Sequence, residues 1–153
     1  MNYDYKGISM KIINLISTSL FILLSFSSIA ETQYSGDKTQ ATAVEKAVNY
    51  YLEGSLLGDP EIIAKAFHPD AKVQGIRKGK HDVYDMKTFL GFFSTDKPGK
   101  HTIHIISVDI EQSDASVRAE WDMGTWKYVD YLSLLKINQE WKIVNKVFAV
   151  VQK

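Results

Sequence analysis

The apolar residues of this chain repeat with two different periods, and the change between them limits the folds available to it. Before residue 100 they recur every three to four positions, as in Val44, Ala47 and Val48, which predicts helices with one buried face. From residue 103 onward apolar and polar residues alternate, which predicts strands. The predicted elements are helices at 42–57, 60–68 and 86–93, a short strand at 72–76, and four long strands at 103–110, 115–123, 126–137 and 141–151. Helices followed by an antiparallel meander predict an α+β domain whose helices cover one face of the sheet.

Residue types at the predicted helix ends support these boundaries. Thr42 and Glu45 have the spacing of a capping box at the start of the first helix. Gly58 is expected to end that helix, and Asp59 followed by Pro60 is typical of the start of the next one. The first two helices are therefore predicted to be joined by a tight turn.

The first thirty residues predict a cleaved secretory signal peptide. Residues 12–26 are uncharged and mostly apolar, Lys11 precedes them, and residues 28–30 (Ser-Ile-Ala) match a small-residue cleavage site. Fifteen residues are fewer than the roughly 20 that a membrane-spanning helix needs. Met10 is predicted to be the true start of translation. We expect export to a periplasm or beyond, with no stable membrane anchor after cleavage, and an uncleaved anchor is the alternative.

Composition excludes several classes of protein. Eighteen Lys and Arg balance eighteen Asp and Glu, so no nucleic-acid partner is expected. The absence of Cys excludes disulfides, thiolate nucleophiles and Cys-ligated metals. His101 and His104 lie three apart at the start of a predicted strand, so they are expected to point to opposite faces. Neither a metal site nor a cofactor is expected, and a site built from carboxylates alone is the alternative. Residues 31–40 are polar and aperiodic, which predicts a flexible lead-in to one domain at 41–153.

Three segments resemble the nuclear transport factor 2-like (SnoaL-like) superfamily. They are residues 51–59 (YLEGSLLGD), 67–71 (FHPDA) and 140–146 (EWKIVNK). Residues 130–136 together with 142–148 are similar to its "putative lumazine-binding" branch. The resemblance implies a cone, in which a curved, mostly antiparallel mixed sheet wraps over three N-terminal helices and encloses a pocket. Such domains commonly pair through their sheets, so a homodimer is expected.

Within that superfamily, the ketosteroid isomerase type implies positions for three catalytic groups. A gapless register places Tyr51 on the tyrosine that donates to the oxyanion, Gly75 on the acidic base, and Ser133 on a second, protonated acid. Because glycine cannot abstract a proton, isomerase chemistry of that type is not expected.

The same register divides the last two strands between an inner and an outer face. It directs Tyr131, Ser133 and Leu135 toward the cavity, and it directs Trp141, Ile143 and Val147 outward. The residues predicted to line a ligand pocket are Tyr51, Phe67, Trp121, Tyr131, Ser133, Lys146 and Phe148. Two alternatives stay open, since Tyr51 is also interpretable as a core tyrosine and Lys146 as a solvated lysine on a strand of opposite register.

Three hypotheses for function follow. The first is an exported, homodimeric domain that binds an unidentified small molecule without catalysis. The second is a cofactor-free lyase, isomerase or hydrolase with His68 as its acid or base and Tyr51 as a donor. The alternative role for His68 is to bond the last carbonyls of the second helix. The third is a protein-interaction module that uses the outer face of the last two strands.

Overall fold

The computed structural model of the protein describes residues 31–153. The predicted signal peptide at residues 1–30 and the predicted start at Met10 lie outside the described residues. The helices are α1 (Ala41–Leu57), α2 (Pro60–Ala66) and α3 (Met86–Leu90). The strands are β1 (Gln33–Gly36), β2 (Phe67–Arg77), β3 (Lys80–Asp85), β4 (Thr102–Glu111), β5 (Asp114–Asp122), β6 (Trp126–Ile137) and β7 (Glu140–Gln152), and a 3-10 turn occupies Lys38–Gln40.

Two of the predicted helix ends are confirmed and two are wrong. Gly58 has a left-handed backbone (φ 67°) at the end of α1, and the Asp59 carboxylate accepts hydrogen bonds from the first turn of α2, so these predictions are confirmed. The predicted capping box of Thr42 and Glu45 is wrong, because the N-cap of α1 is Gln40, two residues before Thr42, and its side chain makes no capping hydrogen bond. The prediction that α2 continues to residue 68 is also wrong.

The strand β2 begins at Phe67, two residues before Pro69. Proline disfavours helical geometry in the residue that precedes it, and Phe67 already has extended angles (φ −100°, ψ 150°). The strand β3 follows a two-residue turn at Lys78 and Gly79, both with positive φ, which is typical of a tight hairpin.

The seven strands form one mixed, unclosed sheet with the order β1-β4-β5-β6-β7-β2-β3. The pairs β1–β4 and β2–β7 are parallel and the other pairs are antiparallel. The sheet and its helices form the cone-like α+β fold that the sequence predicts. The strand β1 corrects the predicted flexible lead-in, since residues 33–36 pair with residues 107–110.

The core lies between the helices and the inner face of the sheet. Val44, Val48 and Leu52 present the apolar face of α1, and Ile63 does so from α2. The sheet contributes Val108, Ile110, Val117, Leu132, Leu134, Trp141 and Ile143, all of them buried. Within residues 31–153, no helix combines the length and the apolar character needed to cross a membrane.

A bulge in β7 changes which residues face the core. Leu134 pairs with Ile143 and Ser133 pairs with Asn145, so Val144 is an extra residue in the ladder. Trp141 and Ile143 therefore face inward on one side of the bulge, and Lys146 faces inward on the other. The outward orientation predicted for Trp141 and Ile143 is wrong, because it assumes unbroken alternation along the strand.

Candidate functional site

A cavity of about 340 Å³ lies between α1, α3 and the inner face of the sheet. Its lining residues are Tyr51, Val73, Arg77, Tyr84, Phe89, Phe92, Phe93, Trp121, Tyr128, Lys146 and Phe148. Eight of these eleven are aromatic, so a ligand in this space would contact ring faces and ring edges on most sides.

The register of the sheet brings the inner-face residues of neighbouring strands side by side. Trp121 of β5 lies opposite Tyr128 of β6, and Lys146 of β7 lies opposite Val73 of β2. Phe148 is the next inward residue on β7 after Lys146. The cavity wall is thus assembled from strands that are far apart in sequence.

A polar network occupies the inner end of the cavity. The Tyr51 hydroxyl donates a 2.7 Å hydrogen bond to Oδ2 of Asp130, and the Lys146 ammonium pairs with Oδ1 of the same carboxylate. Tyr51 and Asp130 have no exposed surface, and Lys146 is 4% exposed. A buried charge is tolerated when it is paired and hydrogen-bonded, as both charges are here.

Three aromatic rings lie close to the Lys146 ammonium. Its Nζ lies 5.3 Å from the ring centroid of Tyr51, 5.7 Å from that of Trp121 and 5.4 Å from that of Phe148. Burial lowers the pKa of Lys146, and the ion pair with Asp130 opposes this shift. Deprotonation of the Lys146 ammonium to the neutral amine therefore costs less free energy here than in a solvated lysine.

The Tyr51 hydroxyl is held in its neutral form. Burial, reinforced by the adjacent Asp130 carboxylate, raises the pKa of Tyr51 well above its ordinary value. Since its proton is directed at Asp130, the hydroxyl offers a ligand its oxygen lone pairs only. The group positioned to donate to a ligand is the Lys146 ammonium, which has three N–H bonds and one partner, Asp130, among the described residues.

Charged and aromatic residues from β2, β3 and the segment after α3 line the more exposed part of the cavity. The Arg77 guanidinium donates to Asp82 and to the Tyr84 hydroxyl, each at 2.9 Å. Tyr84 meets Phe92 edge to face at 5.0 Å, and Phe92 is 60% exposed. An aromatic surface therefore extends from the cavity to solvent.

His101 supports the outer side of the Trp121 indole. The two rings stack with their centroids 4.7 Å apart and only 6° between their planes, and His101 Nε2 lies 3.2 Å from the Ser55 hydroxyl. Burial lowers the pKa of His101, which favours its neutral form. Stacking on His101 fixes the orientation of the Trp121 indole, which forms one wall of the cavity.

Of the seven residues predicted to line a pocket, Tyr51, Trp121, Lys146 and Phe148 line this cavity. Phe67 lies behind Tyr51 and packs against it edge to face at 5.3 Å, outside the lining. The structure thus brings five of the seven into one cluster.

Tyr131 and Ser133 point to the opposite face of the sheet, contrary to their predicted orientation. Both are exposed, whereas Asp130, Leu132 and Leu134, which alternate with them, are buried. The gapless register matches the inner acid to Ser133, three residues beyond Asp130, and an odd offset along a strand inverts the face of every side chain. Leu135, also predicted to face inward, is 39% exposed.

His68 and Gly75 lie at the two ends of β2 and differ in their relation to the cavity. His68 is not among the lining residues, its side chain is partly exposed, and its Nδ1 accepts a hydrogen bond from the Asp70 amide. Gly75 pairs with Phe148, and a Cβ atom on Gly75 would lie 2.4 Å from the Phe148 carbonyl oxygen. An acidic side chain has no room at Gly75 without a shift of β7.

Asp130 is the functional candidate that the sequence analysis missed. The pattern Tyr128, Asp130, Leu132, Leu134 on alternate positions of β6 contains the clue, since one acid shares a face with apolar residues. A buried acid on an apolar face requires a cation or hydrogen-bond donors, and Lys146 and Tyr51 are those partners. Within residues 31–153, no group of three or more metal-binding side chains is found.

One family model and one named protein are similar to this chain over most of its length. A family model described as "Putative lumazine-binding" matches residues 39–149. A protein named "Aldolase FrzH" from Cladobotryum sp is 27% identical over 101 residues, which are 64% of this chain and 81% of that protein.

Solved structures show the same fold. A nuclear transport factor 2-like protein of unknown function from Methylobacillus flagellatus has a TM-score of 0.68 at 25% identity, covering 78% of this chain and 98% of its own. Another from Shewanella baltica has a TM-score of 0.68 at 22% identity, covering 78% and 100%. The chain therefore belongs to the "putative lumazine-binding" family, within the nuclear transport factor 2-like superfamily.

Proposed function

We propose that this protein binds a small, flat aromatic molecule that carries a carbonyl oxygen. The observation that carries the proposal is the enclosure of the buried Tyr51–Asp130–Lys146 network by aromatic side chains at the inner end of the cavity. The rings favour a flat apolar body, and the Lys146 ammonium favours one acceptor atom at its end.

The size of the cavity supports a ligand of about two fused rings. A volume of about 340 Å³ lies at the lower end of the roughly 300–1,000 Å³ typical of small-molecule sites. The charges of Lys146 and Arg77 are each already paired with a carboxylate, which favours a neutral ligand over an anionic one.

The comparisons support a carbonyl-bearing ligand. The family description names lumazine, a flat bicyclic ring with two carbonyl oxygens, and the Cladobotryum relative is named an aldolase, a class of enzyme that acts on carbonyl compounds. Catalysis through His68 remains a separate hypothesis, and the position of His68 outside the cavity lining does not favour it.

The proposal predicts that the protein distinguishes 2-acetylnaphthalene from naphthalene, which has the same rings and no carbonyl. A hydrogen bond to a charged donor contributes about 1.5–3 kcal/mol, so the ketone is expected to bind about tenfold to a hundredfold more tightly. Equilibrium dialysis measures both dissociation constants on protein purified after expression of the full chain.

Matched variants locate the site. Lys146→Met combined with Asp130→Asn, which leaves no buried charge unpaired, should remove the preference for the ketone while retaining naphthalene binding. Trp121→Ala should weaken binding of both probes. Tyr131→Ala, on the exposed outer face, is the control and should change neither. Equal affinities for the two probes would refute recognition of the carbonyl, and failure of both to bind would refute the site itself.

A further inference from the structure

Lys146 is the one amine among the residues that line the cavity, and the lining contains no carboxylate, histidine or aliphatic hydroxyl. Its other polar atoms belong to three tyrosines and to the indole and guanidinium of Trp121 and Arg77. A lysine in an apolar pocket is a recognised form of activated nucleophile, because burial disfavours its charge. The reactive atom available to a bound carbonyl compound is therefore Nζ of Lys146.

Asp130 supplies the proton acceptor that such a lysine needs. Its Oδ1 already accepts a hydrogen bond from the ammonium, while its Oδ2 accepts one from Tyr51. Since Asp130 has no exposed surface, bulk water does not compete with the protein's donors for its carboxylate oxygens. Transfer of a proton along the existing hydrogen bond turns a buried ion pair into a neutral pair, which an apolar environment favours.

The aromatic walls confine the reacting carbonyl group near this amine. The ring centroids of Tyr51, Trp121 and Phe148 lie 5.3–5.7 Å from Nζ. Since Lys146 itself lines the cavity, a bound carbonyl compound reaches Nζ from the cavity. A flat ring stacked in the cavity would present its substituent to the inner end, where Nζ lies. Holding the two groups together replaces a bimolecular encounter by an intramolecular one.

We propose that Lys146 forms a covalent imine with an aromatic aldehyde or ketone bound in the cavity, an activity that rests on the proposed function. Asp130 takes one proton from the ammonium, and the nitrogen electron pair then forms a bond to the carbonyl carbon. The carbonyl oxygen leaves as water with two protons, one returned by Asp130 and one from the nitrogen. The product is a protonated imine, whose positive charge stays beside Asp130.

The test traps the imine with 2-naphthaldehyde and sodium cyanoborohydride, which reduces it to a stable secondary amine. The protein is purified after expression of the full chain, and peptide mapping by mass spectrometry locates the adduct. We expect the adduct on the peptide that contains Lys146. Excess 2-naphthol, which has the same rings and no carbonyl, should compete for the cavity and lower the yield of this adduct. Because mapping uses the unaltered protein, the result does not depend on whether a variant folds.

Two variants provide the comparison. Lys146→Met should lose this adduct, whereas Lys72→Met, which removes an exposed lysine from the neighbouring strand β2, should keep it. Labelling of exposed lysines such as Lys72 without labelling of Lys146 would overturn the inference. If 2-acetylnaphthalene still binds in that case, ligand binding stands and only the covalent step fails. If it does not bind, the proposed function fails and the inference fails with it.

Discussion

At the scale of single residues, Asp130 has the largest predicted effect on stability. It accepts the Tyr51 hydrogen bond and pairs with Lys146, and none of the three side chains has more than a few per cent of its surface exposed. Asp130→Ala leaves a buried ammonium and a buried hydroxyl without a partner. We expect this substitution to lower the free energy of unfolding by about 3–5 kcal/mol, as measured by urea denaturation.

Two further variants show whether the destabilisation comes from leaving Lys146 unpaired or from losing the ion pair as a whole. Asp130→Ala combined with Lys146→Met removes both charges and should cost less than Asp130→Ala alone, because no charge is left buried and unpaired. Glu140→Ala breaks the exposed pair with Lys142 and should cost less than about 1 kcal/mol. Additive costs for the two buried substitutions would contradict the coupling that the structure shows.

The place of Tyr51 in the site can be predicted from the sequence, whereas the place of Asp130 cannot. Tyr51 follows from the apolar stripe of α1 together with the family resemblance, and the structure places it in the cavity. Asp130 does not follow, because nothing in its neighbourhood along the chain indicates that Tyr51, 79 residues away, donates to it. Partners that come together only by folding leave no local pattern in the sequence.

At the scale of elements, the parallel pair β2–β7 depends on the absence of a side chain at Gly75. A Cβ atom there would lie 2.4 Å from the Phe148 carbonyl oxygen and 2.7 Å from its ring. We expect Gly75→Ala to destabilise the protein by about 1–3 kcal/mol, since two paired strands must separate to accommodate it. Thermal unfolding followed by circular dichroism provides the measurement.

Gly91→Ala is the matched control for that prediction. Gly91 ends α3 with helical angles (φ −65°), and the nearest atom to an added Cβ lies at an ordinary 3.4 Å. This substitution should be neutral or stabilising by a few tenths of a kcal/mol to about 1 kcal/mol. Equal melting temperatures for the two variants would show that Gly75 is not constrained by Phe148.

An element can be predicted from the sequence when its apolar pattern repeats over enough residues to be recognised. The four long strands β4 to β7 and the three helices all appear near their expected positions, because each buries one regular face. The strands β1 and β3 were missed, since they lie at the two ends of the sheet order and their alternation is short. The bulge at Val144 was missed as well, because pairing with β6, and not the local sequence, defines it.

At the scale of the whole molecule, the outer face of the sheet carries the prediction of a homodimer. Tyr131 is 55% exposed there, Val147 41%, and Leu135 and Val151 slightly less. These residues occupy the adjacent strands β6 and β7, and they form an apolar surface on the face opposite to the helices and the cavity. Exposed apolar surface shared by neighbouring strands is typical of a face that a second copy covers.

Val147→Glu should therefore convert a dimer to a monomer while retaining the preference for 2-acetylnaphthalene. A charge introduced into an apolar interface loses its hydration without gaining a partner, which destabilises the assembly without altering the inner face. Sedimentation velocity at several concentrations measures the assembly. A monomeric starting protein, or a variant that still dimerises, would refute this role for the outer face.

The α+β class and the order of the main elements follow from periodicity and helix ends, which act over a few residues. The family and the inward orientation of Tyr51 and Lys146 follow from the resemblance of three segments, and the residues alone leave both orientations open. The export signal is also a prediction from sequence, and it lies outside the described residues. The contact of Asp130 with Tyr51 and Lys146, the outward orientation of Tyr131 and Ser133, and the burial of Trp141 are visible in the folded molecule alone. Strand register and one bulge assign each of these side chains to a face, and both depend on pairing between strands that are distant in sequence.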